Sequence, residues 1–133
     1  MTRKVLIADD EENIVLSLEF LLRSAGFEVL VAGDGEAALK MVAAHRPDLV
    51  LLDVMMPKRN GYEVCQRLRA RPEWRGIKII MLSAKGRGAE VEKGLSLGAD
   101  LYVVKPFSNA ELMTQVHALL GTVLQRNNTA ADS

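Results

Sequence analysis

The stretch Leu49-Val50-Leu51-Leu52-Asp53 is the most continuously apolar strand-like run in the chain, and it ends at a carboxylate. Short uninterrupted apolar runs are typical of strands that are buried on both faces of a parallel sheet. The stretch therefore predicts a central strand with Asp53 at its carboxyl end. The turn from Pro57 to Gly61 then leads into a segment that places Val64 and Leu68 on one helical face.

The same strand-then-helix unit recurs on both sides of this stretch. Predicted strands at Lys4 to Ala8 and Glu28 to Ala32 precede it, and strands at Ile77 to Leu82 and Leu101 to Val104 follow it. Each is followed by apolar residues at helical spacing, the fourth such segment running from about Gly88 to Leu97. Strands that alternate with helices require right-handed crossovers and a parallel sheet covered on both faces. The sequence therefore predicts an α/β fold of the doubly wound (βα)5 type.

The last helix and the end of the chain have distinct signals. Ser108 is followed three residues later by Glu111, which is the pattern of a capping box at a helix start. The apolar stripe of this helix comprises Leu112, Val116, Leu119, Leu120 and Val123. From Gln125 to Ser133 the chain is polar and lacks periodicity. We therefore expect one domain over residues 1–124 and a disordered tail over residues 125–133.

Composition and charge exclude several function classes. Seventeen basic and seventeen acidic residues cancel, so no overall field favours nucleic acid or an anionic membrane. No apolar run approaches the roughly 20 residues that a membrane-spanning helix needs. Cys65 is the only cysteine, which excludes an intramolecular disulfide and fits a reducing compartment. We expect a cytoplasmic protein that acts through local surfaces, without direct contact with nucleic acid or membrane.

Chemically active side chains directly follow four of the predicted strands. They are Asp9 and Asp10 after the first strand, Asp53 at the end of the third, Ser83 after the fourth and Lys105 after the fifth. In a parallel sheet these positions lie at one edge, where ligands bind. Carboxylates at about 4 Å repel by roughly 4 kcal/mol per pair at an effective dielectric of about 20. A hard divalent cation, above all Mg²⁺, relieves that repulsion and prefers oxygen ligands.

This set of groups suits the formation of an aspartyl phosphate. A carboxylate such as Asp53 can attack phosphorus when the charge on the phosphoryl oxygens is neutralised, and Lys105 and a metal would supply that charge. Ser83 offers a hydroxyl donor to a phosphoryl oxygen. Each residue also has an ordinary explanation, since Asp9 and Asp10 suit the start of a helix and Asp53 suits a turn. Their occurrence together at one sheet edge favours the functional interpretation.

Five motifs carry a resemblance to a known family. They are Ile7-Ala8-Asp9-Asp10-Glu11, Leu51-Leu52-Asp53-Val54-Met55-Met56-Pro57 with Gly61, Leu82-Ser83-Ala84-Lys85, Gly98-Ala99-Asp100, and Tyr102-Val103-Val104-Lys105-Pro106-Phe107. From about Lys4 to Leu124 the chain resembles the response-regulator receiver domains of bacterial two-component systems, especially the stand-alone chemotaxis-type regulators. The resemblance implies a flavodoxin-like fold with strand order 2-1-3-4-5.

The resemblance also implies a role for each site residue. Asp53 would be the phosphoacceptor, and Asp10, Asp53 and the backbone carbonyl of Met55 would bind Mg²⁺ directly. Asp9 would act mainly through a bound water. Ser83 and Lys105 would contact the phosphoryl group. Such a domain is a phosphoacceptor switch and not an enzyme, because its catalytic groups serve only its own phosphorylation and dephosphorylation.

In this family, phosphorylation draws in the hydroxyl that Ser83 matches and moves the aromatic residue that Tyr102 matches. The surface formed by helix 4, strand 5 and helix 5 then changes and controls a downstream protein target. The implied phosphodonor is a sensor histidine kinase or a phosphotransfer protein. The resemblance also allows a phosphorylation-dependent homodimer through that surface. A cis peptide bond between Lys105 and Pro106 is a further family feature.

Other functions remain open at this point. A Mg²⁺-dependent phosphohydrolase with an aspartyl-phosphate intermediate is the main alternative, although Met55 stands where such enzymes place a general acid. A flavin-binding module is a second alternative, against which the acidic first loop argues. A structural adaptor without phosphorylation is a third. The turn Lys58-Arg59-Asn60 also departs from the hydrophobic residue and aspartate that many receiver domains carry there.

Overall fold

The structure is a computed structural model that describes residues 2–122. Its elements, in chain order, are β1 (Lys4–Ala8), α1 (Glu12–Ser24), β2 (Glu28–Ala32), α2 (Gly35–His45), β3 (Leu49–Asp53), α3 (Gly61–Ala70), a short 3₁₀ helix (Pro72–Trp74), β4 (Lys78–Ser83), α4 (Gly88–Ser96), β5 (Leu101–Val104) and α5 (Asn109–Leu120). All strand pairs are parallel, and the strand order is β2-β1-β3-β4-β5. The predicted fold class and strand order are confirmed.

β3 is the centre of the sheet, as its sequence predicts. It pairs with β1 on one side and β4 on the other, and all of its residues are buried. Val50 and Leu52 face one core, whereas Leu49 and Leu51 face the other. Asp53 ends the strand and is only 3% exposed. The most buried strand of the sheet therefore ends at a carboxylate that is itself nearly buried.

Helices cover both faces of the sheet. On one face α2 and α3 contribute the buried residues Ala38, Val42, Val64, Cys65 and Leu68. On the other face α1 and α5 contribute Leu18, Leu22, Leu112, Val116 and Leu120. Burial of such aliphatic side chains stabilises a domain by about 1.5–3 kcal/mol each before entropy is counted. None of the helices within residues 2–122 has the length and apolar character that a membrane crossing requires.

Helix starts and strand ends differ in detail from the sequence predictions. Ser108 accepts a hydrogen bond from the backbone N–H of Glu111 at 3.2 Å, which is the N-cap bond of the predicted box. A complete capping box occurs instead at Asn60 and Glu63. β4 begins and ends one residue later than predicted, because Lys78 pairs with Leu49 and Ser83 pairs with Val104. Ser83 is therefore the last residue of the strand and not the residue after it. Val123 and the predicted tail over residues 125–133 lie outside the described residues.

Arg69 on α3 joins several loops at the edge of the sheet opposite to the carboxylates. Its guanidinium donates to the backbone carbonyls of Ile77 at 2.7 Å and Gly98 at 2.9 Å. It also forms an ion pair with Asp100 at 3.1 Å, and Asp100 in turn accepts from the backbone N–H of Ile79 at 2.8 Å. Because this side chain is 19% exposed, these bonds are partly shielded from water. Arg69 therefore fixes the loops that lead into β4 and β5.

Candidate functional site

Strand pairing brings the predicted site residues to one edge of the sheet. Ala8 of β1 lies opposite Leu52 of β3, so Asp9 and Asp53 follow at neighbouring positions. Val104 of β5 lies opposite Ser83 of β4, and the backbone N–H of Lys105 donates to the Ser83 carbonyl at 2.8 Å. The parallel strand pairing therefore brings the residues that end or follow β1, β3, β4 and β5 to the same edge of the sheet.

Three carboxylates cluster at this edge. One oxygen from each of Asp9, Asp10 and Asp53 lies within 4.8 Å of the others. Asp9 and Asp53 are buried, whereas Asp10 is exposed and faces solvent. The clustering that the sequence predicts is thus present in the structure, with one open side through which an ion or a phosphoryl group can enter.

Three polar side chains at the strand ends form the same type of local hydrogen bond. In three cases the side chain accepts from the backbone N–H two residues later: Glu11 N to Asp9 Oδ1 at 2.9 Å, Met55 N to Asp53 Oδ1 at 3.3 Å, and Lys85 N to Ser83 Oγ at 3.0 Å. Short polar side chains readily form this turn with their own backbone. The backbone that follows each of these side chains therefore helps to fix its orientation.

Lys105 supplies the positive charge of the site. Its Nζ lies 2.6 Å from Glu11 Oε1, 3.0 Å from Asp9 Oδ2 and 3.5 Å from Asp53 Oδ1. The side chain is 10% exposed. The peptide bond between Lys105 and Pro106 is cis, as the family resemblance implies. One ammonium group is thus shared among three carboxylates.

Burial and charge shift the acid–base behaviour of the two central groups. Burial and then the Asp9 charge raise the pKa of Asp53 to about 7, and Lys105 only partly opposes the rise. Burial lowers the pKa of Lys105, but its contacts with Glu11, Asp9 and Asp53 outweigh that effect and the net shift is upward. Carboxylates whose pKa is raised by burial and by like charges occur often at functional sites.

The donor set fits a hard divalent cation such as Mg²⁺. Asp9, Asp10 and Asp53 present carboxylate oxygens within a small radius, and Mg²⁺ takes oxygen ligands while keeping several waters. Met55 lies in the loop just after β3, is 55% exposed, and has its backbone N–H 3.3 Å from Asp53 Oδ1. An added cation would offset the carboxylate charge that raises the pKa of Asp53.

The loop that carries Met55 is tied to the start of α2. Arg59 Nε lies 2.7 Å from Glu36 Oε2, and Lys58 Nζ lies 3.7 Å from Asp34 Oδ2. A Cβ atom at Gly35 would collide with the Arg59 backbone, so only glycine allows this close approach. The unusual turn residues noted in the sequence therefore anchor the loop beside the site.

Tyr102 lies behind the site and contacts the loop after β4. Its hydroxyl donates to the Lys85 carbonyl at 2.7 Å. Gly94 on α4 allows the tyrosine ring to approach, because a Cβ atom there would lie 2.9 Å from Tyr102 Cδ2. Ser83 is fully buried at the base of the same loop. The two predicted switch residues are therefore linked through the short segment that joins β4 to α4.

Two further residues, Glu11 and Tyr62, belong to this region although sequence reasoning assigned them no role. Glu11 is the N-cap residue of α1, and its side chain reaches Lys105 instead of a helix N–H. Tyr62 on α3 donates to the Glu90 carbonyl at 3.1 Å, and the ammonium of Lys93 lies 4.5 Å from its ring centre. Burial, and then the Tyr102 hydroxyl, raise the pKa of Tyr62 to about 12. For Glu11 the signal was its place in the acidic first motif, whereas Tyr62 carried none.

Comparisons with known proteins agree on one family. The response regulator receiver domain model matches residues 5–117. The chain is 44% identical, over 133 residues, to the alkaline phosphatase synthesis transcriptional regulatory protein PhoP of Bacillus subtilis (strain 168), covering 100% of this chain and 53% of that protein. The chain thus spans about half the length of the curated relatives it matches.

Solved structures give the same result. A response regulator from Chloroflexus aurantiacus J-10-fl has a TM-score of 0.86 at 36% identity, covering 91% of this chain and 99% of that one. The CheX-CheY-BeF3-Mg complex from Borrelia burgdorferi has a TM-score of 0.82 at 31% identity, covering 89% of each chain. Each of these structures shares the fold with this chain at 31–36% sequence identity. The chain therefore belongs to the response regulator receiver family and has the CheY-like receiver fold.

Proposed function

We propose that this domain accepts a phosphoryl group on Asp53 in a Mg²⁺-dependent reaction and thereby switches its output surface. Receiver domains of two-component response regulators are phosphoacceptor switches, and phosphorylation on an aspartate is general among them. The single observation that carries the assignment to Asp53 is its position. It is the one carboxylate of the cluster that ends the central strand and also lies within 3.5 Å of the Lys105 ammonium.

The transfer itself needs one nucleophile and two sources of positive charge. An oxygen of Asp53 attacks phosphorus, and the bond from phosphorus to the donor's leaving atom breaks as that atom takes the bonding electrons. Lys105 neutralises charge on the phosphoryl oxygens. When bound, the divalent cation supplies further positive charge at the same oxygens. Asp9, Asp10, Asp53 and the Met55 carbonyl are the proposed metal-binding groups, with Asp9 acting mainly through water.

Switching follows from new contacts that only the phosphorylated state makes. The buried Ser83 hydroxyl is the proposed donor to a phosphoryl oxygen, and a rotation of the side chain toward that oxygen would move the Oγ atom that accepts from the Lys85 N–H. Because Tyr102 bonds to the carbonyl of the same Lys85, a shift of this loop would move the tyrosine. A phosphoryl group changes the population of the two states only through such differential contacts. The surface of α4, β5 and α5 is the proposed output face and the proposed face for a phosphorylation-dependent homodimer.

The partners follow from the family and from the relatives. We propose a sensor histidine kinase or a phosphotransfer protein as the phosphodonor, because receiver domains work with histidine kinases. The curated relatives are transcriptional regulators of about twice this length, so control of transcription through other parts of a longer protein is one proposed output. Within this domain the balanced charge argues against direct contact with nucleic acid. The cytoplasmic location expected from the sequence remains a prediction.

A small acyl phosphate tests the proposal without knowledge of the kinase. The intact mass of the wild-type chain is measured after incubation with acetyl phosphate and Mg²⁺, and again with a chelator in place of Mg²⁺. We expect one added phosphoryl group only with Mg²⁺, and none in Asp53→Asn. Asp48→Asn is the matched control, because its side chain accepts from the Lys4 backbone N–H, far from the cluster. Equal labelling of Asp53→Asn and wild type would refute the assignment.

The phosphohydrolase alternative has no support from the site geometry. Such an enzyme needs a general acid close to the leaving group. The residue at the expected position is Met55, whose exposed thioether cannot donate a proton. We therefore propose that the catalytic groups serve only the domain's own phosphorylation and dephosphorylation. Turnover of an added phosphate monoester by the purified chain would contradict this.

A further inference from the structure

The side chain of Glu11 is directed away from the helix that it caps. Glu11 is the N-cap residue of α1, with an extended backbone (φ −90°, ψ 107°), and it makes no side-chain cap hydrogen bond. An N-cap side chain ordinarily accepts from one of the first helical N–H groups. Here Glu11 Oε1 lies 2.6 Å from Lys105 Nζ, which is the shortest contact of that ammonium. The side chain therefore serves the site and not the helix.

In this structure the Lys105 ammonium donates to two carboxylates and lies close to a third. The ammonium contacts Glu11 at 2.6 Å, Asp9 at 3.0 Å and Asp53 at 3.5 Å. A lysine ammonium has three donors, and Glu11 and Asp9 take two of them, so only one donor is left for the phosphoryl oxygens unless one of these bonds is given up. Asp53 itself carries the phosphoryl group and therefore stays close to Lys105.

Of the two remaining partners, Glu11 is the one free to leave. The Asp9 side chain is fully buried and is held by the Glu11 backbone N–H at 2.9 Å, whereas the Glu11 side chain is 56% exposed. An exposed carboxylate regains water when it leaves its partner, so its release costs little. A buried carboxylate such as Asp9 would lose its ion-pair partner without regaining water.

We propose that Glu11 is a positioning residue that competes with the phosphoryl group for the Lys105 ammonium. In the resting state Glu11 holds Lys105, and on phosphorylation Lys105 turns to the phosphoryl oxygens while Glu11 swings into solvent. The contact thereby lowers the affinity of the site for a phosphoryl group. This inference rests on the proposed function, because it assumes that Asp53 carries the phosphoryl group.

The test uses beryllofluoride, a phosphoryl mimic, as the probe at saturating Mg²⁺. Its dissociation constant is measured by calorimetry for wild type, Glu11→Gln, Glu11→Ala and Glu12→Gln. Glu12 is the matched control, since it is the adjacent exposed carboxylate and begins α1. We expect Glu11→Gln and Glu11→Ala to bind about two- to fivefold more tightly than wild type, as befits an exposed ion pair. Glu12→Gln should match wild type.

A double variant separates the contact from a general change in charge. In a Lys105→Ala background, replacing Glu11 by Gln should give no further gain in beryllofluoride affinity, because the contact is already absent. The inference is overturned if Glu12→Gln tightens binding as much as Glu11→Gln, if the gain persists without Lys105, or if Glu11→Gln binds like wild type. Wild type that binds no beryllofluoride and takes no phosphoryl group would instead overturn the proposed function.

Discussion

Lys105 Nζ lies 3.5 Å from Asp53 Oδ1, so the only ammonium in the described part of the site faces its most central carboxylate. We predict that Lys105→Ala accepts the phosphoryl group from acetyl phosphate about 100-fold more slowly, because one charge-stabilising donor of the transition state is lost. Labelling rates followed by intact mass check this. Lys40→Ala, an exposed lysine on α2, is the control and should label like wild type. Equal rates for both variants would contradict the role of Lys105.

The raised pKa of Asp53 predicts a pH-dependent stability. Because this pKa is about 7 in the folded chain and 3.8 as the ordinary value, the folded state binds more protons between those two pH values. The free energy of unfolding from this group therefore falls as pH rises from about 4 to about 7 and then stays level. Asp53→Asn stays neutral, so with a chelator present it should be more stable than wild type at pH 8 by on the order of 2–4 kcal/mol.

Denaturant unfolding at pH 4 and pH 8 measures this difference. At pH 4 the two chains should have nearly equal free energies of unfolding, since Asp53 is then protonated in the folded wild type. Asp48→Asn should show no such gain at pH 8. If Asp53→Asn were no more stable than wild type at pH 8, burial and the Asp9 charge would not raise the pKa of Asp53 in the folded chain.

The carboxylate cluster predicts stabilisation by Mg²⁺. An ion that binds only the folded chain at 100 times its dissociation constant raises the free energy of unfolding by about 2.7 kcal/mol. Asp10→Asn removes one exposed carboxylate of the cluster, so Mg²⁺ should stabilise this variant much less. Thermal unfolding with and without Mg²⁺ checks the prediction. An identical Mg²⁺ effect in wild type and Asp10→Asn would argue against a metal at the cluster.

The contacts of Arg69 predict that replacing this residue lowers the stability of the fold without changing the site. Replacing it by alanine removes the bonds to the Ile77 and Gly98 carbonyls and leaves Asp100 without its ion-pair partner. Partly buried groups that lose their partners cost about 2–4 kcal/mol in total. Denaturant unfolding of Arg69→Ala, with the exposed Arg67→Ala as control, measures the loss. Labelling of the folded Arg69 variant should stay close to wild type.

The sequence predicts the central features of this fold because hydrophobic pattern and strand position are coupled. Leu49 to Asp53 reads as a central strand since a strand covered on both faces must be apolar throughout. The hydrophobic pattern determines the first residue of β4 less well. Ile77 is apolar and buried but precedes the strand, whereas the charged Lys78 begins it. Backbone pairing with Leu49, which composition does not reveal, sets that boundary.

Some features of the site could likewise be predicted from the sequence, and others could not. The carboxylates were predictable because each ends or directly follows a strand whose end the hydrophobic pattern marks. The contact between Glu11 and Lys105 joins residues 94 positions apart and depends on which way one exposed side chain turns. Tyr62 reaches Glu90 only because α3 and α4 pack side by side. Such details follow from tertiary packing and not from a local pattern.

Locating the modified residue tests the central claim most directly. The chain is phosphorylated with acetyl phosphate and Mg²⁺ and then treated with borohydride, which reduces an aspartyl phosphate to homoserine, and its peptides are sequenced by mass spectrometry. We predict homoserine at position 53 in the phosphorylated chain and none there when Mg²⁺ is omitted. Homoserine at another aspartate, or an unmodified Asp53 in a chain that has gained a phosphoryl group, would contradict the account.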